Sequence, residues 1–188
     1  MKAIRILEDK ISTIGGLTLP LLRLYADSAI GRDVMPLFIP DIPGGWHARI
    51  CMAVHVCRLG KDISSKFAMR YVDAISLVAL LLPDVDESSW DRSGALALLD
   101  SAVTTGRWHE CDVASLSDIE VEVASQHRTI PAAALDIATR VHEVSRMTTL
   151  RIGDMLIIDS TGIDLPLIPD THITAAIGQI NCLSLKVK

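Results

Sequence analysis

Residues Trp46 to Ser64 read WHARICMAVHVCRLGKDIS, and this stretch organises the rest of the chain. Ala48, Ile50, Met52, Val54 and Val56 recur at every second position, the period of a β-strand with one face turned to a core. His47, Arg49, Cys51, Ala53, His55 and Cys57 fall between them, so one strand aims a row of polar side chains in a single direction. Gly60 and Lys61 end the strand, and Asp62 or Ser64 can cap a short helix over SSKFAMRYV. Next comes the apolar run Ala74 to Leu82, which reads as a buried strand stopped by Pro83. It is far shorter than the ~20 residues a membrane span needs.

Outward from this centre, Lys2 to Leu7 predicts an opening strand, Gly15–Gly16 a turn and Leu21 to Tyr25 a second apolar strand. Gly31 to Pro36 is a turn, and LFIPDIPGG is extended and broken by its prolines. PDVDESSWD is an acidic connection, while GALALLD and SAVTTGRWHE leave strand and helix open. SDIEVEVA alternates, placing Glu120 and Glu122 on a solvated face. Pro131 opens a single long helix to Met147 with Leu135, Ala138, Val141 and Val144 as its apolar stripe. LRIGDMLIID predicts a turn into a buried strand, and HITAAIGQINCLSLKV two strands joined near Gly178. The sum is a strand-dominated α+β chain with one long and one short helix, forming one domain over residues 1–188.

The 188 residues are 49% hydrophobic, 22% charged and only 4% aromatic, so the core is aliphatic. A net charge of -5 gives no general attraction for phosphate backbones or acidic membranes, and neither nucleic acid nor membrane is expected as a partner. Cys51, Cys57, Cys111 and Cys182 contain no CxxC pair, and MKAIRILEDK turns acidic before an apolar run develops. Reduced thiols in the cytoplasm are the simplest reading.

Chemistry read from residue types alone yields no active site. His47, Cys51 and His55 suit zinc, yet residues four apart on a strand stand some ~13 Å apart, and a second segment such as His109 and Cys111 would have to join them. Asp84, Asp86 and Glu87 could hold a hard cation, although a solvated acidic loop is the commoner meaning. The G-x-S-x-G elbow and glycine-rich phosphate loops are absent, and Asp159 to Gly162 (DSTG) reads as a turn.

FIPDIPGGWHARICMAVHVCRLGKDISSKFAMRYVDAISL resembles the core of the fumarylacetoacetate hydrolase family. There a strand carrying H-x-E-x-E-L leads to a GK-x-I turn, an alanine-bearing helix ending in tyrosine, and a strand closed by aspartate. SSWDRSGALAL resembles the family's lysine–glycine–phenylalanine–aspartate segment, and VSRMTTLRIGDMLIIDSTG the approach to its T-G-T-P loop. The likeness runs from Leu22 to the C-terminus; residues 1–20 have diverged, and the lid near 83–90 is shortened.

The resemblance implies a mixed β-sandwich roll, usually dimeric, in which two glutamates and an aspartate hold Mg²⁺ or Mn²⁺ against an enolisable keto acid. Carried onto this chain, the glutamates fall at Arg49 and Cys51, the aspartate at Leu80 and the lysine at Ser88. Ser160 stands for the threonine of the T-G-T-P loop, flanked by Asp159 and Thr161, and His47 is retained. With Cys51 protonated, the ligand positions change from about -3 to about +1. The expectation is therefore a catalytically inactive homologue without metal or other cofactor, acting as a homodimer or as a partner of an active relative. Two alternatives stand beside it. One is a keto-acid hydrolase, isomerase or decarboxylase whose ligands have moved to Asp84, Asp86 or Asp159. The other is a metal-free carboxylate module built on Arg49, with His47, Cys51 and Ser160 as further candidates, against the blander reading of Arg49 on a relaxed, exposed strand face.

Overall fold

In the computed structural model, backbone is described for residues 1–14, 17–85, 89, 90 and 93–188, and side chains for the same residues except 8–19. The turn expected at Gly15–Gly16 lies outside them, as do Asp86, Glu87 and Ser88. In chain order the strands are β1 (Ala3–Ile14), β2 (Leu17–Tyr25), β3 (Ile30–Arg32), β4 (Trp46–Val56), β5 (Val72–Pro83), β6 (Val103–Thr105) and β7 (His109–Glu110). They continue as β8 (Ile119–Val123), β9 (Gln126–Ile130), β10 (Met155–Pro166), β11 (His172–Ile177) and β12 (Ile180–Lys186). The helices include α1 (Ser65–Ala68), α2 (Ala132–Leu135) and α3 (Ile137–Met147).

β4, the strand predicted to organise the chain, lies inside the larger sheet, whose order is β2-β1-β10-β4-β5-β6-β3 with β7 on β5. Its neighbours β10 and β5 both run antiparallel to it, whereas β1 joins β10 in parallel. The smaller sheet has the order β12-β11-β8-β9. β5 carries buried residues at every position but Asp73, because it is covered on both faces. β8 alternates instead, with Ile119, Val121 and Val123 inward and the two glutamates outward. Buried side chains of both sheets and of α3 form one contiguous cluster that is almost wholly aliphatic. The segment that left helix and strand open holds a 3-10 turn at Ala95–Ala97 and the short strands β6 and β7.

One expectation is corrected. The single long helix from Pro131 is broken between α2 and α3, where Asp136 takes a left-handed conformation at φ 41°. Asp is among the few residues that tolerate this geometry, and α3 restarts with the Arg140 amide donating to the Asp136 carbonyl. Leu135, Val141 and Val144 still share the core because the break re-aims the helix without removing the stripe. Among the described residues no helix is long and apolar enough to cross a membrane.

Candidate functional site

Residues directly opposite one another on neighbouring strands point to the same face of a sheet. Arg49 on β4 therefore shares a face with its two cross-strand partners, Asp164 on β10 and Leu80 on β5. Between Ile158, opposite Met52, and Ile163, opposite Ile50, four residues of β10 face the single residue Cys51. This large bulge brings Asp159 in beside Cys51 and Arg49. Gly162 turns inside it at φ 63°. The hydroxyl of the buried Thr161 donates to the Ile50 carbonyl and accepts from the Ile163 amide at 3.2 Å, which pins the bulge to β4.

A row of charges results. Arg49 grips Asp164 with two parallel bonds, Nε to Oδ1 and Nη2 to Oδ2, both 2.7 Å. Its Nη1 donates to Asp159 Oδ2 at 3.3 Å. Arg5, reaching across from β1, donates to the same oxygen at 3.1 Å. On the open side, His47 Nδ1 lies 2.8 Å from Asp84 Oδ1, while its Nε2 stands 3.9 Å from Asp164 Oδ2, beyond hydrogen-bond reach. Two arginines, three aspartates and one histidine thus form a nearly neutral chain along the face.

This geometry corrects the picture of Arg49 on a relaxed, exposed strand: its side chain is only 25% exposed and is held by two carboxylates. Cys51 is wholly buried, and burial first, then the Asp159 charge, pushes its thiol well above the ordinary range. Leu80 is buried in the core. Ser160 donates to the Ile158 carbonyl of its own strand at 3.4 Å. His55 sits apart, its Nδ1 2.6 Å from Asp73 Oδ1 and its ring tilted against Trp108 with centroids 5.3 Å apart, so the row His47, Cys51, His55 does not converge. Among the described residues no three His, Cys, Asp or Glu side chains gather as a metal site. Arg5 and Asp164, central to the network, carry no local motif; both are identified only by strand pairing.

The donor set does not fit Mg²⁺ or Mn²⁺, which require several oxygen ligands. Asp159 and Asp164 are already bonded to a guanidinium whose charge is permanent. At ~4 Å each unit of like charge adds repulsion of about 4 kcal/mol at an effective dielectric near 20. The same contacts occupy the edge of Arg49 that would receive a substrate carboxylate.

The Arg49 clamp holds the Asp164 carboxyl below the usual carboxylate range, against the opposing effect of burial. A carboxyl lowered in the folded state adds stability at neutral pH that is lost as pH falls through the folded value. Asp164→Asn is expected to flatten the acid limb of the stability–pH curve below about pH 4. The change, read by urea titration, should be under about 1 kcal/mol because Asp164 is partly exposed. An unchanged acid limb would remove the clamp as a contributor.

No family model matches this sequence, and no curated protein matches it. Solved structures do match in fold. A 5-carboxymethyl-2-hydroxymuconate delta-isomerase from Mycobacterium smegmatis superposes with a TM-score of 0.79 at 20% identity, over 99% of this chain and 78% of its own. A protein from Yersinia pestis CO92, assigned to the fumarylacetoacetate hydrolase family, gives 0.79 at 14% identity, over 100% and 92%. The chain has the fumarylacetoacetate hydrolase fold. A fumarylpyruvate hydrolase from Pseudomonas aeruginosa, solved with Mn²⁺ and pyruvate, gives 0.75 at 15% identity, over 99% and 88%. Within this fold β4 and the bulge of β10 are the elements that present the charged row.

Proposed function

We propose that this chain is a non-catalytic protein of the fumarylacetoacetate hydrolase fold, working without Mg²⁺ or Mn²⁺ and serving as a structural or regulatory partner of a second copy or of an active relative. The observation that carries this reading is the Arg49 guanidinium seated between Asp159 and Asp164, at the position where the resemblance calls for a metal carboxylate. Leu80 and the protonated Cys51 supply no oxygen to replace it. A second reading, a metal-dependent hydrolase or isomerase of keto acids, draws support from the named activities of the structural neighbours. With its ligands at Asp159 it requires that carboxylate to be released from Arg49 and Arg5, and at Asp84 from His47. A carboxylate module on Arg49 requires Asp159 and Asp164 to be released from it.

Thermal unfolding with millimolar Mn²⁺ and oxaloacetate, separately and together, tests these readings. A ligand at 100 times its dissociation constant adds about 2.7 kcal/mol. The expected result is no shift in any combination and no pyruvate beyond that formed by Mn²⁺ and oxaloacetate without the protein. A shift needing both metal and oxaloacetate overturns the proposal in favour of the enzyme. A shift with oxaloacetate alone, abolished by Arg49→Ala, overturns it in favour of the carboxylate module.

A further inference from the structure

The face formed by the β4–α1 connection, α1 and the end of α3 differs in charge from the rest of the molecule. Backbone bonds in both directions between Gly60 and Leu150, 3.0 and 2.8 Å, join its two segments. That isolated antiparallel bridge places residues 58–61 beside the turn that begins at Arg151, where the Asp154 amide donates to the Arg151 carbonyl at 3.0 Å. Lys61 Nζ, bonded to the Arg146 carbonyl at 2.9 Å, ties the same loop to the end of α3.

Arg58, Lys61, Lys66, Arg70, Arg146 and Arg151 are all exposed here, and Asp62 is the one exposed acid among residues 58–70 and 146–152. The whole chain carries -5, so this face is opposite in sign to the molecule that bears it. Large apolar side chains stand among the cations: Leu59 is 65% exposed, Phe67 43% and Ile152 69%. Arg70 lies over the Phe67 ring at 5.0 Å from its centroid, and Lys66 at 5.7 Å.

We propose that this face docks an acidic protein segment carrying apolar side chains between its carboxylates. A guanidinium stacked on an aromatic ring gives up little further freedom when its edge receives a carboxylate, and aromatic and Arg residues are the usual anchors of protein interfaces. The stack also argues against a lipid surface, since cations lie across the ring that would have to enter the acyl region. The proposal stands whether or not the charged row on β4 is inactive.

The probe is a fluorescein-labelled twelve-residue peptide alternating pairs of glutamate with leucine, measured by anisotropy against the intact protein. The expected result is saturable binding that weakens with salt. Arg70→Glu/Arg151→Glu should weaken it at least tenfold while leaving the unfolding midpoint in place, because both residues are exposed. A peptide with serine for each leucine should bind several-fold more weakly. No binding, or equal binding by the double variant, overturns the proposal. Sedimentation with vesicles of one-third phosphatidylserine, lost in the same variant, would reassign the face to a membrane. Concentration-dependent dimerisation, lost in the same variant, would reassign it to a second copy.

Discussion

An Arg5→Ala variant is expected to lose about 3–5 kcal/mol of folding stability, the range for removing one partner of a buried ion pair. Arg5 is 1% exposed, and its guanidinium meets Asp159, itself 22% exposed, at 3.1 Å. Truncation leaves that carboxylate to the longer contact with Arg49 and opens a void under the bulge of β10. Arg5→Lys should recover only part of the loss, because an ammonium on a flexible stem cannot reproduce the planar donor set. Removing both charges with Arg5→Met/Asp159→Asn should cost less than the sum of the single changes, the signature of direct coupling. Urea unfolding of the wild type, Arg5→Ala, Arg5→Lys, Arg5→Met, Asp159→Asn and the double variant measures this. A loss below about 1 kcal/mol for Arg5→Ala would mean that the row of charges does not hold the bulge in place.

Gly106→Ala is the second large effect, with an expected loss of about 3 kcal/mol or more, at the severe end of overpacking. Gly106 sits where the two sheets meet. Its amide donates to the Leu77 carbonyl on β5 at 3.0 Å, and the next amide, of Arg107, donates to Cys182 on β12 at 2.6 Å. A Cβ at Gly106 would lie 2.9 Å from both the Leu77 oxygen and the Cys182 carbonyl carbon, and closer still to the Cys182 oxygen. These are backbone atoms that cannot swing aside, so β12 must separate from β5. Gly94→Ala is the control: its φ is +71°, yet a Cβ there meets nothing within 4 Å. Backbone strain alone should cost about 1 kcal/mol there. Equal losses at the two positions would show that the close approach at Gly106 does not limit stability.

Strand content was legible because its signal is local. The alternation of β4 and of β8, the apolar run of β5 and the Gly–Asp turn before β10 each reflect burial of one or both faces of a single strand. The break at Asp136 was not legible, because a left-handed residue inside a periodic apolar stripe changes the direction of a helix and leaves its pattern intact.

The site divides in the same way. The amino-acid sequence by itself determined that β4 presents His47, Arg49 and Cys51 in one row; that Arg49, Cys51 and Leu80 stand at positions of metal carboxylates is what the resemblance implies. Only the tertiary structure decided what those substitutions amount to. Arg5, Asp84, Asp159 and Asp164 lie between 35 and 115 positions from Arg49 or on different strands entirely, and strand pairing with the bulge of β10 brings them to one face. A charge has no periodicity along a chain; its meaning depends on the distance to its partner through space. Arg49 next to two aspartates is a closed ion pair, and that closure came from the register of three strands.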